Sequence, residues 1–174
     1  MGALVIRPLE ASRETVAALA DLLIETVAAG ASVTFLHPLA RADAEAYWRE
    51  ALESAARSER VVLGAFDGEA LIGTASLLLD TPNNQRHRAE IAKMMTRRDW
   101  RNRGVGAALL RAAERVAVAK RRTLLTLDTA ADEGASGFYE KLGYTFAGAI
   151  PDYAYRPNGA LTATRLYWKR IGGG

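Results

Sequence analysis

The sequence predicts one mixed α/β domain, and three features of the chain predict it. Short apolar runs suited to strands alternate with longer segments whose apolar residues recur at helical spacing. The nearly continuous apolar run from Thr123 to Thr129 is typical of a buried parallel strand. Asp67-Gly68, between two apolar runs, indicates a hairpin. The predicted order of elements is β-α-α-β-β-β-α-β-α-β-β.

The first half of the chain predicts a strand, two helices and a hairpin. The apolar opening from Ala3 to Pro8 favours a strand, and leucines and valines at helical spacing predict a helix from Ser12 to about Gly30. Val61 to Phe66 and Ala70 to Leu79 form the strands of the hairpin. The second helix carries one apolar face, made by Ala44, Tyr47, Trp48, Ala51, Leu52 and Ala55.

The middle of the chain predicts a loop, a strand and an amphipathic helix. The polar segment from Asp80 to Arg88 contains a proline and indicates the loop, and a third long strand runs from Ala89 to Thr96. The helix that follows has one apolar stripe, made by Val105, Ala108, Leu109, Ala112, Ala113 and Val116.

The end of the chain predicts a short helix and two final strands. The helix carries Phe138 and Tyr139 and ends at Gly143. The strands run from Tyr144 to Ala149 and from Leu161 to Lys169, joined by a long loop that contains Tyr153, Tyr155 and the tight turn Asn158-Gly159. Residues 1–174 are therefore expected to form a single domain, with 172–174 as a disordered tail.

The composition excludes several classes of protein. The 174 residues contain no cysteine, which excludes disulfides, thiolate metal sites and a cysteine nucleophile. The net charge of +3 is modest and acids are spread along the chain, so no nucleic-acid partner is expected. No apolar run reaches the length of a membrane span and no secretory signal is present, which favours a cytoplasmic protein. His37 and His87 are isolated, so no metal site is expected.

The most informative segment is the glycine-rich loop before the amphipathic helix, Arg101-Asn102-Arg103-Gly104-Val105-Gly106. Gly104 and Gly106 leave the backbone bare where the first turn of a helix presents unpaired N–H groups and the positive end of its dipole. Such a segment binds phosphate or diphosphate, although a tight turn with solvated arginines explains a G-x-G equally well. The loop is neither a Walker motif, since it lacks G-K-[ST], nor a dinucleotide fingerprint, since it follows a late strand.

R-x-x-G-x-G in this position resembles the acetyl-CoA diphosphate loop of the GCN5-related N-acetyltransferases, the GNAT superfamily. The order of elements is similar across nearly the whole chain, and "FYEKLGY" resembles a second signature of that superfamily. The segments "GASVTF", "RAEIAKMM", "LDTAADEGASGFY" and "PDYAYRPNGAL" resemble the tabtoxin-resistance acetyltransferases. The implied fold is α/β, with a mixed, mostly antiparallel central sheet flanked by helices, in which the parallel fourth and fifth strands splay apart.

The resemblance implies transfer of the acetyl group of acetyl-CoA to a primary amine by direct attack in a ternary complex. The implied acceptor is a small molecule, namely an amino acid, a toxin or an antibiotic of the tabtoxinine-β-lactam type. Two alternatives stay open, a protein N-terminal or lysine acetyltransferase and a non-catalytic acyl-CoA sensor. A homodimer is a further implication. The implied cofactor-binding residues are Met94, Met95 and Thr96, through their main chain, and Arg101, Asn102, Arg103, Gly104, Val105, Gly106 and Ala107.

Three residues are candidates for the chemistry of amine acetylation, and each has a structural alternative. Glu90 lies in the strand that leads to the loop, on the same face as Ala92, Met94 and Thr96 unless a bulge intervenes, and is the candidate base. Its alternative is a salt bridge with Arg88 or Lys93. Asp128, at the end of the next parallel strand, holds the substrate ammonium, shares the deprotonation with Glu90, or, as its structural alternative, satisfies loop amides.

Tyr139 is the candidate acid, because the superfamily places a tyrosine hydroxyl near the cofactor sulfur at this position of the last helix. Its alternative is a tyrosine packed in the apolar stripe of that helix. Ser32, Phe35 and Tyr153 join Asp128 as candidate substrate-binding residues. Many members of the superfamily carry an asparagine at the start of the last helix, where this chain has Asp132, so that contact with the cofactor is not expected here.

Overall fold

One sheet holds all seven strands that the structure, a computed structural model, describes within residues 4–131 and 136–172. The order across the sheet is β1-β2-β3-β4-β5-β7-β6. The strands are β1 (Leu4–Pro8), β2 (Arg60–Asp67), β3 (Ala70–Leu78), β4 (Arg88–Thr96), β5 (Leu124–Ala130), β6 (Thr145–Tyr155) and β7 (Leu161–Arg170). The helices are α1 (Arg13–Ala28), α2 (Arg41–Ala56), α3 (Val105–Ala119) and α4 (Ser136–Lys141). The predicted order of elements is confirmed.

The sheet is mixed, because β4 and β5 are parallel while the other neighbouring strands pair antiparallel. The parallel pairing extends only from Arg88 with Leu124 to Ile91 with Leu127. Beyond that register both strands continue, β4 to Thr96 and β5 to Ala130. The predicted parallel pair that splays apart is therefore confirmed, and the gap opens at the carboxyl ends of the two strands.

Alternation along the strands divides the apolar core between the two faces of the sheet. On β2 and β3, Val62 and Leu71 pack with the leucines of α1 and with Trp48 of α2, whereas their neighbours Leu63 and Ile72 pack with α3. Helix α1 begins at a cap in which the Ser12 hydroxyl accepts a hydrogen bond of 3.0 Å from the Thr15 N–H. The cleft between β4 and β5 thus has α1 and α2 on one side and α3 on the other.

Strand β4 contains a bulge at Lys93, which interrupts the expected alternation. Ala92 pairs with Ser76 and Met95 with Thr74, so two residues of β4 lie opposite one residue of β3. Lys93 has a φ of 52°, in the left-handed region. As a result Met94 packs with the α3 side of the core and Met95 with the α1–α2 side. The single face expected for Glu90, Ala92, Met94 and Thr96 is therefore interrupted after Ala92.

Strand β6 is longer than expected, which corrects the interpretation of its second half. Tyr153 and Tyr155 were expected in a loop, but β6 runs through both of them. It lies at the edge of the sheet, and its register shifts twice, between Phe146 and Gly148 and between Ile150 and Ala154. A strand that is irregular and mostly exposed shows no apolar alternation, so the pattern ended the strand too early.

None of the four helices in the described residues combines the length and the apolar character that a membrane span requires. Two expectations fall on positions outside the described residues. These are the expected disordered tail at 172–174, of which only Gly172 is described, and the position of Asp132 before α4.

Candidate active site

A cleft of about 780 Å³ occupies the gap between β4 and β5. Its walls come from elements that are distant in sequence: the end of α1 and the segment after it, β4, the loop before α3, the end of β5, α4 and the β6–β7 hairpin. Met94, Gly104, Asp128, Tyr139 and Tyr153 each line it. The splay of the two parallel strands therefore brings most of the candidate residues to one place.

The glycine-rich loop turns its backbone through two left-handed residues, Asn102 with a φ of 59° and Gly104 with a φ of 82°. The N–H of Ala108 donates the first hydrogen bond of α3, to the Gly104 carbonyl at 3.0 Å. The amides of Val105, Gly106 and Ala107 precede that bond and belong to the first turn, where a helix has no internal acceptors for its N–H groups. These donors and the positive end of the helix dipole are suited to a diphosphate.

The two glycines of the loop serve different purposes. A Cβ on Gly104 would meet no atom within 4 Å, so the positive φ is what favours glycine there. A Cβ on Gly106 would meet Cζ of Phe138 at 3.4 Å. Gly106 therefore keeps open the side of the cleft that faces α4, whereas Gly104 permits the turn.

Glu25 of α1 ties the start of this loop to the rest of the domain. Its carboxylate accepts hydrogen bonds from Nη1 of Arg97 at 2.8 Å and from the N–H of Arg98 at 2.9 Å. Nε of Arg97 donates to the Leu71 carbonyl at 2.8 Å. Arg97 is thus occupied with structural contacts, and Arg98, Arg101 and Arg103 are the exposed arginines of the segment. Sequence patterns did not identify Glu25, which lies on a helix and far from the loop in sequence.

Glu90 lies half-buried beside the cleft but is not among the residues that line it. Burial raises the pKa of its carboxyl, the negative charge of Asp128 raises it further, and Arg88 and Lys93 oppose both effects. Nη1 of Arg88 is 3.8 Å from its Oε2, so the expected alternative, an ion pair, is also present, at a distance typical of weak pairs.

Asp128 lines the cleft at the carboxyl end of β5. Its Oδ2 accepts a hydrogen bond of 2.9 Å from the hydroxyl of Thr164, a buried residue of β7. The second carboxylate oxygen has no hydrogen bond from the residues that the structure describes. The contact with Thr164 therefore fixes the orientation of an exposed carboxylate that remains able to bind a cation.

Tyr139 lines the cleft, and its side chain is also packed against other aromatic rings, as its structural alternative expects. Its side chain is buried, edge-on to Phe138 with ring centroids 5.1 Å apart and tilted against Tyr167 at 5.6 Å. Aromatic packing on two sides restricts the ring to one orientation.

Lys93, which sequence patterns suggested only as an ion-pair partner of Glu90, lines the cleft. Its Nζ lies 5.5 Å from the ring centroid of Tyr47 in α2. Burial lowers the pKa of its ammonium, Asp128 and Glu90 oppose that effect, and the positive charge of Arg60 adds to it. A lysine within the otherwise apolar run after Glu90 was the only sequence signal.

The remaining candidates divide between the cleft and its surroundings. Ser32 and Tyr153 line it, as do Met95, Thr96, Arg101 and Asn102. Phe35 does not line it and packs edge-on against Tyr47, with centroids 5.3 Å apart. Arg103 is outside the lining as well, with its guanidinium 5.3 Å from the ring centroid of Trp100. Within the described residues, no group of three or more His, Asp or Glu could hold a metal ion.

Solved structures share this fold along nearly its whole length. The ribosomal-protein-alanine N-acetyltransferase of Brucella melitensis superposes with a TM-score of 0.81 at 21% identity, covering 96% of this chain and 99% of its own. A candidate acetyltransferase from Salmonella typhimurium, solved with its cofactor acetyl-CoA, gives 0.80 at 16% identity, covering 99% and 96%. A candidate phosphinothricin N-acetyltransferase gives 0.80 at 19% identity, covering 98% and 100%.

The family is shown by sequence. The model of the acetyltransferase (GNAT) family matches residues 23–144, which is more than half of the chain and includes α2 through α4 with the glycine-rich loop. This segment contains Glu90, Asp128 and Tyr139. The protein is therefore an enzyme of the acetyltransferase (GNAT) family.

Proposed function

We propose that this acetyltransferase moves the acetyl group of acetyl-CoA to the primary amine of a small molecule. The observation that carries the proposal is that the Gly104 loop, Asp128 and Tyr139 line one cleft, with Glu90 beside it. A diphosphate donor set, a carboxylate for an ammonium and a phenol for a leaving group are the groups that amine acetylation requires.

The residues of the cofactor end fit coenzyme A. The amides from Asn102 to Ala107 would hold its diphosphate, with the exposed arginines Arg98, Arg101 and Arg103 nearby. The main chain of β4 at Met94 and Met95 faces the gap, beyond the last described pairing with β5, and would bind the pantetheine arm as an added strand. The cofactor supplies an activated acetyl thioester at this position.

The acceptor end prepares the amine. An amine is protonated at neutral pH and becomes a nucleophile only after losing a proton. Asp128 holds the ammonium, and Glu90, whose raised pKa makes it a better proton acceptor than an ordinary glutamate, takes the proton through a water molecule because its side chain lies beside the cleft. The phenol of Tyr139 donates a proton to the departing thiolate.

The acetyl group passes directly to the amine in a ternary complex. The chain has no cysteine, so no cysteine thiolate is available to carry the acetyl group as a covalent intermediate. The segments that resemble the tabtoxin-resistance acetyltransferases support an acceptor that is an amino acid, a toxin or an antibiotic. The name of one structural neighbour, a candidate phosphinothricin N-acetyltransferase, is in keeping with a small acceptor.

Two measurements test this function. Titration calorimetry with coenzyme A is expected to show binding at one site. Release of free thiol from acetyl-CoA, followed against a panel of amino acids, amine antibiotics and peptides, is expected to identify small amines as acceptors. Absence of any affinity for coenzyme A would refute the proposal. Binding without turnover of any acceptor would favour an acyl-CoA sensor, and turnover of peptides alone would favour a protein acetyltransferase.

A further inference from the structure

Lys93 is an unusual residue for the position it occupies. It lies at the bulge of β4, between the buried residues Ile91 and Met95, with a φ of 52° that few non-glycine residues adopt. The bulge adds a residue to the strand and so changes the direction of the side chain. The result is a lysine in the middle of a seven-stranded sheet that lines the cleft, which a strand of regular alternation would not place there.

The ammonium of Lys93 has no anionic partner among the residues that the structure describes. No carboxylate in the described residues lies within the 4.0 Å of an ion pair, and no described hydrogen bond uses its Nζ. Its described contact is the face of Tyr47, at 5.5 Å from the ring centroid. A partly buried ammonium without a counter-ion is costly, and burial accordingly lowers its pKa. An anion in the cleft would remove that cost.

The surroundings of Lys93 favour an anion over a second cation. Arg60 contributes a further positive charge on the same side, where its Nε donates to the Ser54 hydroxyl at 3.1 Å. Asp128, the opposite charge that acts on Lys93 most strongly, lines the same cleft. Among the described residues that line the cleft, Asp128 carries a negative charge, whereas Lys93, Arg101 and Arg156 carry positive charges, and Arg101 belongs to the loop assigned to the cofactor. A ligand that carries both an ammonium and a carboxylate complements this arrangement.

We propose that Lys93 is a specificity-determining residue that binds the carboxylate of the acceptor, while Asp128 binds its ammonium. The inference rests on the proposed function and narrows it to acceptors in which an anionic group accompanies the amine. Lys93 then contributes to acceptor binding rather than to proton transfer, so its removal should act on KM more than on kcat.

The test compares each of the twenty L-amino acids with its α-carboxamide, which keeps the amine and removes the carboxylate. The wild-type enzyme is expected to prefer the acid over the amide in kcat/KM for its best acceptors. In Lys93→Met, which removes the charge and keeps an unbranched side chain, that preference should fall by about tenfold to a hundredfold, the usual effect of a hydrogen bond to a charged group. Intrinsic differences between the two amines cancel, because wild type and variant are compared on the same pair.

Two control variants accompany the test. Lys93→Arg keeps the positive charge and should retain most of the preference. Lys120→Met removes an equal charge from the exposed end of α3 and should leave the preference unchanged. Calorimetry of the acid acceptor with enzyme loaded with coenzyme A adds a readout independent of turnover, and the acid should bind more weakly to Lys93→Met.

The outcomes separate this inference from the proposed function. If wild type acetylates amides as well as acids, or if Lys93→Met keeps the preference, Lys93 does not bind the carboxylate, although the enzyme is still an amine acetyltransferase. If Lys93→Met does not fold, Lys93→Gln, which also removes the charge, takes its place in the same comparison with wild type. If no amine is acetylated by wild type, the proposed function itself fails.

Discussion

At the scale of single residues, the charge on Glu90 is stabilised less in the folded protein than in water. Its pKa is raised from 4.5, first by burial and then by Asp128. A carboxyl whose pKa is higher in the folded protein than in the unfolded chain stabilises the fold at pH values below its unfolded pKa. That stabilisation is lost as the pH rises through the folded pKa. At neutral pH the ionised side chain is therefore destabilising, as expected of a residue retained for chemistry.

Glu90→Gln should consequently separate stability from activity. We expect kcat to fall about 100-fold or more, since general-base catalysis contributes at least that much. We also expect the free energy of unfolding at pH 7 to rise, with the gain disappearing as pH falls below 4.5. The pH profile of wild-type kcat should lose activity on acidification at a pH above 4.5, and the variant should lack that limb.

The measurements for Glu90 are urea unfolding and steady-state kinetics across pH, with exposed Glu69→Gln as the matched control. A Glu90→Gln enzyme with wild-type kcat would show that another group removes the proton. Asp128 would then be the stronger candidate, because it lines the cleft directly.

The positions of residues at the cleft were predictable where a motif indicated them, and not where they depend on a local irregularity of the backbone. Gly104 and Gly106 lie in a recognisable spacing, and Asp128 follows from its place at the end of a parallel strand. Lys93 enters the cleft because of the bulge, and no pattern of apolar residues marks where a strand gains an extra residue. Glu25 acts across 72 positions of sequence, so only the folded structure connects it with Arg97.

At the scale of elements, the two glycines of the turn into α3 serve different purposes, although they belong to one sequence motif. Gly104 is required by its φ of 82°, whereas Gly106 leaves a space in front of Phe138 that a Cβ would fill at an ordinary contact distance of 3.4 Å. An alanine at 104 is strained wherever the ligand is, whereas an alanine at 106 is a better helix former than glycine and intrudes on the cleft.

Gly104→Ala and Gly106→Ala should therefore change stability in opposite directions. We expect Gly104→Ala to lose about 1–2 kcal/mol of unfolding free energy, the cost of a side chain in the left-handed region. Gly106→Ala should keep or raise stability but weaken coenzyme A binding about tenfold or more, because its Cβ narrows the cleft. Thermal unfolding and calorimetry check the pair. Unchanged coenzyme A affinity in Gly106→Ala would place the cofactor away from this turn.

Elements with regular alternation were predictable, and the edge of the sheet was not. Strands β2, β3 and β5 are buried and apolar, so their patterns identify them. Strand β6 contains Gly148, Pro151 and Asp152, residue types that indicate turns. An edge strand tolerates them because its outer side needs no ladder partner, and so local sequence alone assigned its second half to a loop.

At the scale of the whole molecule, Glu25 connects the two walls of the cleft. Helix α1 leads directly into the segment around Ser32, which lines the cleft, and its Glu25 binds Arg97 and the N–H of Arg98 before the glycine-rich loop. Arg97 in turn binds the Leu71 carbonyl of β3. One carboxylate thus sets the position of the glycine-rich loop relative to both the segment around Ser32 and the sheet.

Glu25→Ala should therefore weaken coenzyme A binding although no atom of Glu25 lines the cleft. Two effects compete, because the change also leaves the loop more positive, which attracts a diphosphate. Water screens that added charge, since Arg97 and Glu25 are 30% and 36% exposed, so we expect the loss of loop geometry to dominate.

The predicted result is a several-fold higher Kd for coenzyme A, a raised KM for the acceptor and about 1 kcal/mol less unfolding free energy. Glu25→Gln keeps one acceptor oxygen in place of two, so it can accept from Arg97 or from the Arg98 N–H and should recover only part of each loss. Calorimetry and kinetics at two salt concentrations measure which effect is larger. Tighter binding of coenzyme A to Glu25→Ala would show that Glu25 acts through its charge and not by positioning the loop.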